Sequence, residues 1–282
     1  MKKIFLFILF IFLTNEETVV EIDLESSSLT SGTGYIVTDK LITFNQAGTY
    51  TLSNYSNRAL RISSSQVTLN LNHIQVSSTG KMPALTLDKN CEATLMLMST
   101  NVLMDTIENE KDGVIYMDEG AKLIITTKEI YENDDGLYIV LTPFKNMGIY
   151  GEASTNLIID QGGQIMINPA EEGKGCILIG NDIIINDGII EDNFELENEK
   201  NPSLKAGGSI IVKKGSFSLH SIQAGLNIYL GEQKINYSLE NYIEDNDLGF
   251  GIETLNEGMK AKNIEIYSGQ ITIYSEKDSI VA

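Results

Sequence analysis

A short motif that keeps returning limits what this chain can fold into more than any other feature. Two apolar residues stand one position apart, a glycine follows three residues later, and a second apolar pair follows the glycine. Between 257 and 273 the motif places Ile264 and Ile266, then Gly269, then Ile271 and Ile273. Alternation with a period of two puts all four isoleucines on one face. Two strands this short are not stable alone, so the unit needs copies of itself to stack against. The same grammar recurs with Ile210, Val212, Gly215, Phe217 and Leu219, and with Ile183, Ile185, Gly188 and Ile190, where Asp192 replaces the last apolar residue. It recurs again with Leu157, Ile159, Gly162, Gly163, Ile165 and Ile167, and more weakly at Leu69 and Leu71, Leu95 and Leu97, and Leu123 and Ile125.

The first inward residues fall at 157, 183, 210 and 264, intervals of 26, 27 and 54. The last interval reads as two periods, with Tyr237 and Leu239 at its midpoint. Self-similarity at this length is the signature of a solenoid, and strand-only repeats with glycine corners predict an all-β parallel β-helix over 41–282. About eight coils would make a rod of roughly 38 Å. The apolar pairs should form its core, so Ile266→Asp is expected to abolish folding by burying an unpaired charge.

Residues 1–16 carry Lys2 and Lys3 and then the apolar run Ile4 to Leu13, too short for a bilayer and suited to a secretory signal peptide. Residues 17–40, rich in Ser, Gly and Thr from Ser26 to Gly34, read as a leader strand and linker. No later stretch is apolar enough to span a membrane, so the mature chain is expected outside the cell or at its surface, with no membrane insertion. A formal charge of −19 argues against nucleic acid as a partner. Cys91 and Cys176 are too few for a disulfide scaffold and read as buried thiols. The charged stretches 105–113, 129–136, 191–203 and 240–247 read as excursions from the coil.

The segments Asn45 to Ser53, Val67 to Asn72, Pro83 to Leu87, Asn101 to Asp105, Gly148 to Gly151 and Glu257 to Lys262 occur in an order that carries a family resemblance. The chain resembles the secreted right-handed β-helix proteins described as carbohydrate-binding domain-containing. That resemblance, over about 40–282, implies a pectate-lyase-like superhelix that binds acidic plant polysaccharide with calcium and without cleavage. It also implies calcium carboxylates in Asp-Gly-Ile or Asp-Asp-Gly-Ile motifs at the start of successive coils. Carboxylates stacked one strand spacing apart repel unless a hard cation lies between them.

Here the corresponding corners read Met147-Gly148, Lys174-Gly175, Ala224-Gly225, Glu257-Gly258 and Asp278-Ser279, so most of that column is lost. Acids also precede glycine at Asp112 and at Asp134-Asp135. The candidate metal residues are therefore Asp112, Asp134, Asp135, Glu257 and Asp278, with turn formation as the competing reason for Asp-Gly. Binding is expected to depend less on calcium than the resemblance implies, which leaves a neutral glucan or xylan open beside pectate. Sugar rings pack on aromatic faces, and Tyr116, Tyr138 and Tyr150 each follow a glycine by two or three residues. They are expected to line one edge as carbohydrate contacts, although tyrosine also suits strands for its own sake.

Catalysis is not expected. The only arginines, Arg58 and Arg61, lie far in sequence from the acid clusters, and His73 and His220 have no metal-ligand spacing. The expected function is a non-catalytic, secreted polysaccharide-binding β-helix. A stiff surface or coat rod and a polysaccharide lyase are the alternatives. Asp278 to Ala282 repeats Glu257 to Ala261 at a spacing of 21. The last coil would thus leave unpaired backbone groups, and the chain is expected to associate end to end there or to continue.

Overall fold

The computed structural model describes residues 19–26, 28–79, 81–106, 111–128, 137–169, 177–193, 203–219, 221–231, 248–254, 259–267, 270–275 and 280–282, with backbone alone for 248–254 and 270–275. Residues 1–16, Asp134, Asp135, Cys176, His220, Tyr237, Leu239, Glu257 and Asp278 lie outside that description.

The described residues are all-β, arranged in parallel sheets of 17 and 11 strands. From Leu85 onward the chain passes through three stations and returns. One cycle runs through Met147–Gly151 in the small sheet, then Asn156–Ile159 and Gly163–Ile167 in the large one. The next runs through Ile177–Ile179, Ile183–Ile185 and Gly188–Asp192. Each strand pairs in parallel with its equivalent one cycle later, which makes three ladders.

The first ladder aligns Leu123, Leu157, Ile183, Ile210, Ile228 and Ile264 in register. The second aligns Ile139, Ile165, Ile190 and Phe217. The small sheet is the third, aligning Ile115, Ile149, Ile177, Leu204, Ile222 and Met259. Apolar side chains from all three belong to one buried cluster. Each buried aliphatic side chain contributes about 1.5–3 kcal/mol relative to exposure.

Two long strands, Gly48–Ser56 and Val67–Ser78, run through both ladders of the large sheet and join them. They turn on left-handed residues, Asn54 at φ 70 and His73 at φ 55, a conformation in which Asn and His are enriched. One cycle on, fully buried Asn101 stabilises that corner: its Oδ1 accepts the Ile74 N–H at 3.0 Å and its Nδ2 donates to the Ser99 carbonyl at 2.6 Å. The recurring motif glycines follow from close stacking. A Cβ on Gly188 would sit 2.6 Å from the Gly163 carbonyl oxygen below it.

At the N-terminal end, Val19–Asp23 extends the first ladder by pairing in parallel with 49–53, and Tyr35–Val37 folds back antiparallel on Leu41–Phe44 to close the small sheet's edge.

Several expectations change. The copy expected at Tyr237 and Leu239 is filled by Ile228 and Leu230, which pair with Ile210 and Val212 below and with Ile264 and Ile266 above. The interval from 210 is thus 18 residues and the next is 36, because corners tighten and excursions lengthen independently. Ile266 is 45% exposed and Ile264 only partly buried, since their strand pairs with Asn227–Leu230 and nothing described stacks on its other edge. Ile266→Asp is therefore not expected to abolish folding. Asp192 does occupy an inward position, opposite Ile167, and stays buried because the Ser203 hydroxyl donates to it at 2.7 Å. Cys91 is a buried free thiol, and burial raises its pKa.

Candidate functional site

In-register parallel pairing forces every outward side chain of the small sheet into a single column, one per strand and about 4.8 Å apart. In order the column holds Arg61, Thr86, Tyr116, Tyr150, Leu178, Lys205, Gln223 and Lys260. Two rings and three cations on one line are notable in a chain of net charge −19.

The rings of Tyr116 and Tyr150 stack with centroids 6.1 Å apart and planes 14° apart. The Lys111 ammonium lies 4.5 Å from the Tyr116 ring centre and 3.3 Å from its hydroxyl oxygen. The same hydroxyl donates to Glu152 Oε1 at 3.2 Å. Tyr116 is only 3% exposed, whereas Tyr150 is partly open to solvent. Tyr116 therefore supports the ring above it, and Tyr150 presents the aromatic face. Burial first, and then the charge of Glu152, raises both phenols above the usual tyrosine range.

Between Leu87 and Asn227, the corners where the small sheet hands the chain to the first ladder take two forms. Corners 88–91, 118–121 and 152–155 are wide. Each opens with an acid, Asp88, Asp118 or Glu152, and turns on a left-handed residue, Asn90 at φ 58, Gly120 at φ 73 or Ser154 at φ 61. Corners 180–182, 207–209 and 225–226 are tight and open with glycine. A Cβ on Gly207 would stand 2.3 Å from the Gly180 carbonyl oxygen, so no side chain fits. Three carboxylates thus flank Thr86, Tyr116 and Tyr150, while bare backbone flanks Leu178, Lys205 and Gln223. Arg61 relieves the first acid, with Nε donating to the two Asp88 oxygens at 2.8 and 3.0 Å.

Of the expected contacts, Tyr116 and Tyr150 come together and Tyr138 does not join them. Tyr138 lies in Tyr138–Thr142 of the second ladder, opposite Gln164, because the chain leaving Gly136 enters a different station from the chain leaving Gly113. Asp112 precedes Gly113–Met117 at φ 60, and Gly113 pairs with Met147, so neutral Asn146 stands one rung above it. Ala224-Gly225, grouped with the strand-entry corners, sits at the strand exit instead. The real acid column was missed although its signal is plain: Asp88, Asp118 and Glu152 each stand five residues before the first inward residue of a ladder strand, Ala93, Leu123 and Leu157. Among the described residues no three His, Cys, Asp or Glu side chains converge to hold a metal ion. Nor, among them, is any helix long and apolar enough to cross a membrane.

A family model described as carbohydrate-binding domain-containing protein matches residues 38–282. No curated protein and no solved structure matches the chain. The match takes in every ladder from Leu41 onward, together with the aromatic and basic column, and the chain therefore belongs to the carbohydrate-binding domain-containing protein family.

Proposed function

We propose that the protein is a non-catalytic, secreted polysaccharide-binding module that lays a polymer along the outer column of its small sheet. Family membership supports carbohydrate binding in general. The single observation that carries the finer reading is the line from Tyr150 through Leu178 and Lys205 to Lys260, one outward side chain per strand. An aromatic face offers apolar contact to a sugar ring, and the lysines beyond it offer charge to a uronate. The three ladders are proposed to wind as a right-handed β-helix. Crossovers between parallel strands of one sheet are right-handed in about 98% of cases, since strand twist favours that hand.

The test is retention of the purified chain on insoluble pectate, glucan and xylan, each with and without a chelator. Tyr150→Ala is expected to weaken retention about tenfold, and Lys205→Ala to weaken it on pectate alone. Retention on pectate that vanishes with chelator assigns calcium a bridging role between carboxylates of polymer and protein. Release of unsaturated sugar would replace this reading with a lyase. Absence of retention on all three would favour a structural surface rod.

A further inference from the structure

A second candidate site lies at the N-terminal end, away from the small-sheet column. Between the leader and the strand Gly48–Ser56 runs a groove of about 700 Å³, within the usual size of ligand pockets. Thr33, Tyr35, Gln46, Thr49, Tyr50 and Gln66 line it, together with small apolar residues. Every charged residue type is missing from this lining, in a chain where 21% of residues are charged.

The groove is built in advance. The Tyr50 hydroxyl shares its one proton between the carbonyls of Gly34 and Gln46, each at 3.1 Å, so that ring ties the leader to the ladder. Tyr35 meets it edge to face at 6.4 Å. Glycine is required where the leader crosses. Gly34 has φ +82 and a Cβ there would fall 2.0 Å from the Tyr50 hydroxyl, while a Cβ on Gly32 would strike the Tyr35 ring at 2.6 Å. Tyr35 stays partly open, and among the described residues neither the Gln46 nor the Gln66 side-chain amide is engaged by a partner. One ring face with uncharged donors and acceptors around it is the chemistry that holds hydroxyl groups.

We infer that this groove binds a neutral oligosaccharide. The uncharged lining offers no cation to a uronate and no carboxylate to calcium, so an acidic sugar would lose its hydration without compensation. Val20, Gly32, Thr33 and Tyr35 precede residue 38, so four of the ten lining residues lie before the matched family region. The inference rests on the polysaccharide-binding reading above and adds a second, chemically different subsite to it.

The test is calorimetric titration of the whole chain with neutral hexaoses of glucose and of xylose, beside hexagalacturonate. A neutral hexaose is expected to bind, about tenfold more weakly in Tyr35→Ala and several-fold more weakly in Gln46→Ala, an exposed residue whose loss should leave the melting curve unchanged. The inference is overturned if both groove variants titrate like the parent, or if the groove variants lose hexagalacturonate and no neutral hexaose binds. In either case retention of polymer through Tyr150 would leave the proposed function standing. Failure of the parent chain to bind any saccharide, soluble or insoluble, would sink both together.

Discussion

The same corner of one sheet is made in two ways along this molecule. Around Asp88, Asp118 and Glu152 the chain spends extra residues and a left-handed turn, and in return a side chain can stand outward beside the column. Around Gly180, Gly207 and Gly225 the corner is shorter, and the backbone of each rung presses on the carbonyl of the rung below. Corner length therefore decides surface chemistry. These wide corners open on carboxylates that hold Arg61 and the Tyr116 hydroxyl, whereas the tight ones open on glycine, so bare backbone stands beside Lys205. Both halves bury the same aliphatic interior, so the difference lies in the loops and not in the core.

The largest expected effect tests that shared interior. Ile185 is fully buried between Ile159 and Val212 in the first ladder. Ile185→Asp should cost about 5 kcal/mol or more and prevent folding, because the stack offers the carboxylate no partner. Ile266→Asp, at the exposed edge, should still give soluble protein with a strand-type circular dichroism spectrum. Equal behaviour of the two would mean that the ladder has no protected middle.

Exchanging the corner types comes next. Gly207→Asp places a wide-corner residue in a tight corner and should destabilise by roughly 3 kcal/mol through the clash with the Gly180 backbone. The reverse change, Asp118→Gly, should cost about 1 kcal/mol, chiefly the hydrogen bond that its carboxylate accepts from the Glu119 N–H. Urea unfolding of the pair measures the asymmetry, and similar losses would refute the role given to corner length.

The tyrosine pair predicts an alkaline limb. Burial raises the Tyr116 and Tyr150 phenols above 10.0 in the folded chain, so above that pH the unfolded chain holds fewer protons than the folded one. The stability they contribute is complete below pH 10.0 and is lost as pH climbs from there through the folded values. Tyr116→Phe should make the fall in urea midpoint between about pH 9 and pH 11 shallower. An unchanged slope would show that other groups dominate that range.

The smallest effect concerns the acid-flanked half. Arg61 is 47% exposed where it meets Asp88, so water screens the pair. Arg61→Ala should cost less than about 1 kcal/mol, less again in high salt. A larger loss, measured by thermal melting, would mean that the acid column needs this cation to close.

Much of this was legible in advance. Apolar alternation and the spacing of Gly163, Gly188 and Gly215 identified the strands of two ladders, because side-chain direction in a strand follows sequence parity. The glycine two or three residues before each also put Tyr116 and Tyr150 at equivalent places. That spacing failed at Tyr138, since it marks the start of a strand but not the sheet to which the strand belongs. The repeat interval failed at Tyr237 for a related reason: an 18-residue cycle is too short to look like its 26- and 27-residue neighbours.

The sequence by itself determined that the chain is strand after strand with an aliphatic interior and glycine corners, because period-two burial and steric exclusion of Cβ are local rules. Only the tertiary structure decided which strands share a ladder, which acids stack, and which rings meet. Those depend on how many residues each corner consumes before the chain rejoins its ladder. That count is fixed by contacts between rungs, as when Gly207 lies against Gly180 or the leader crosses Tyr50. Partners of that kind lie 16 to 36 positions apart in the chain, a range too wide for one period to mark them.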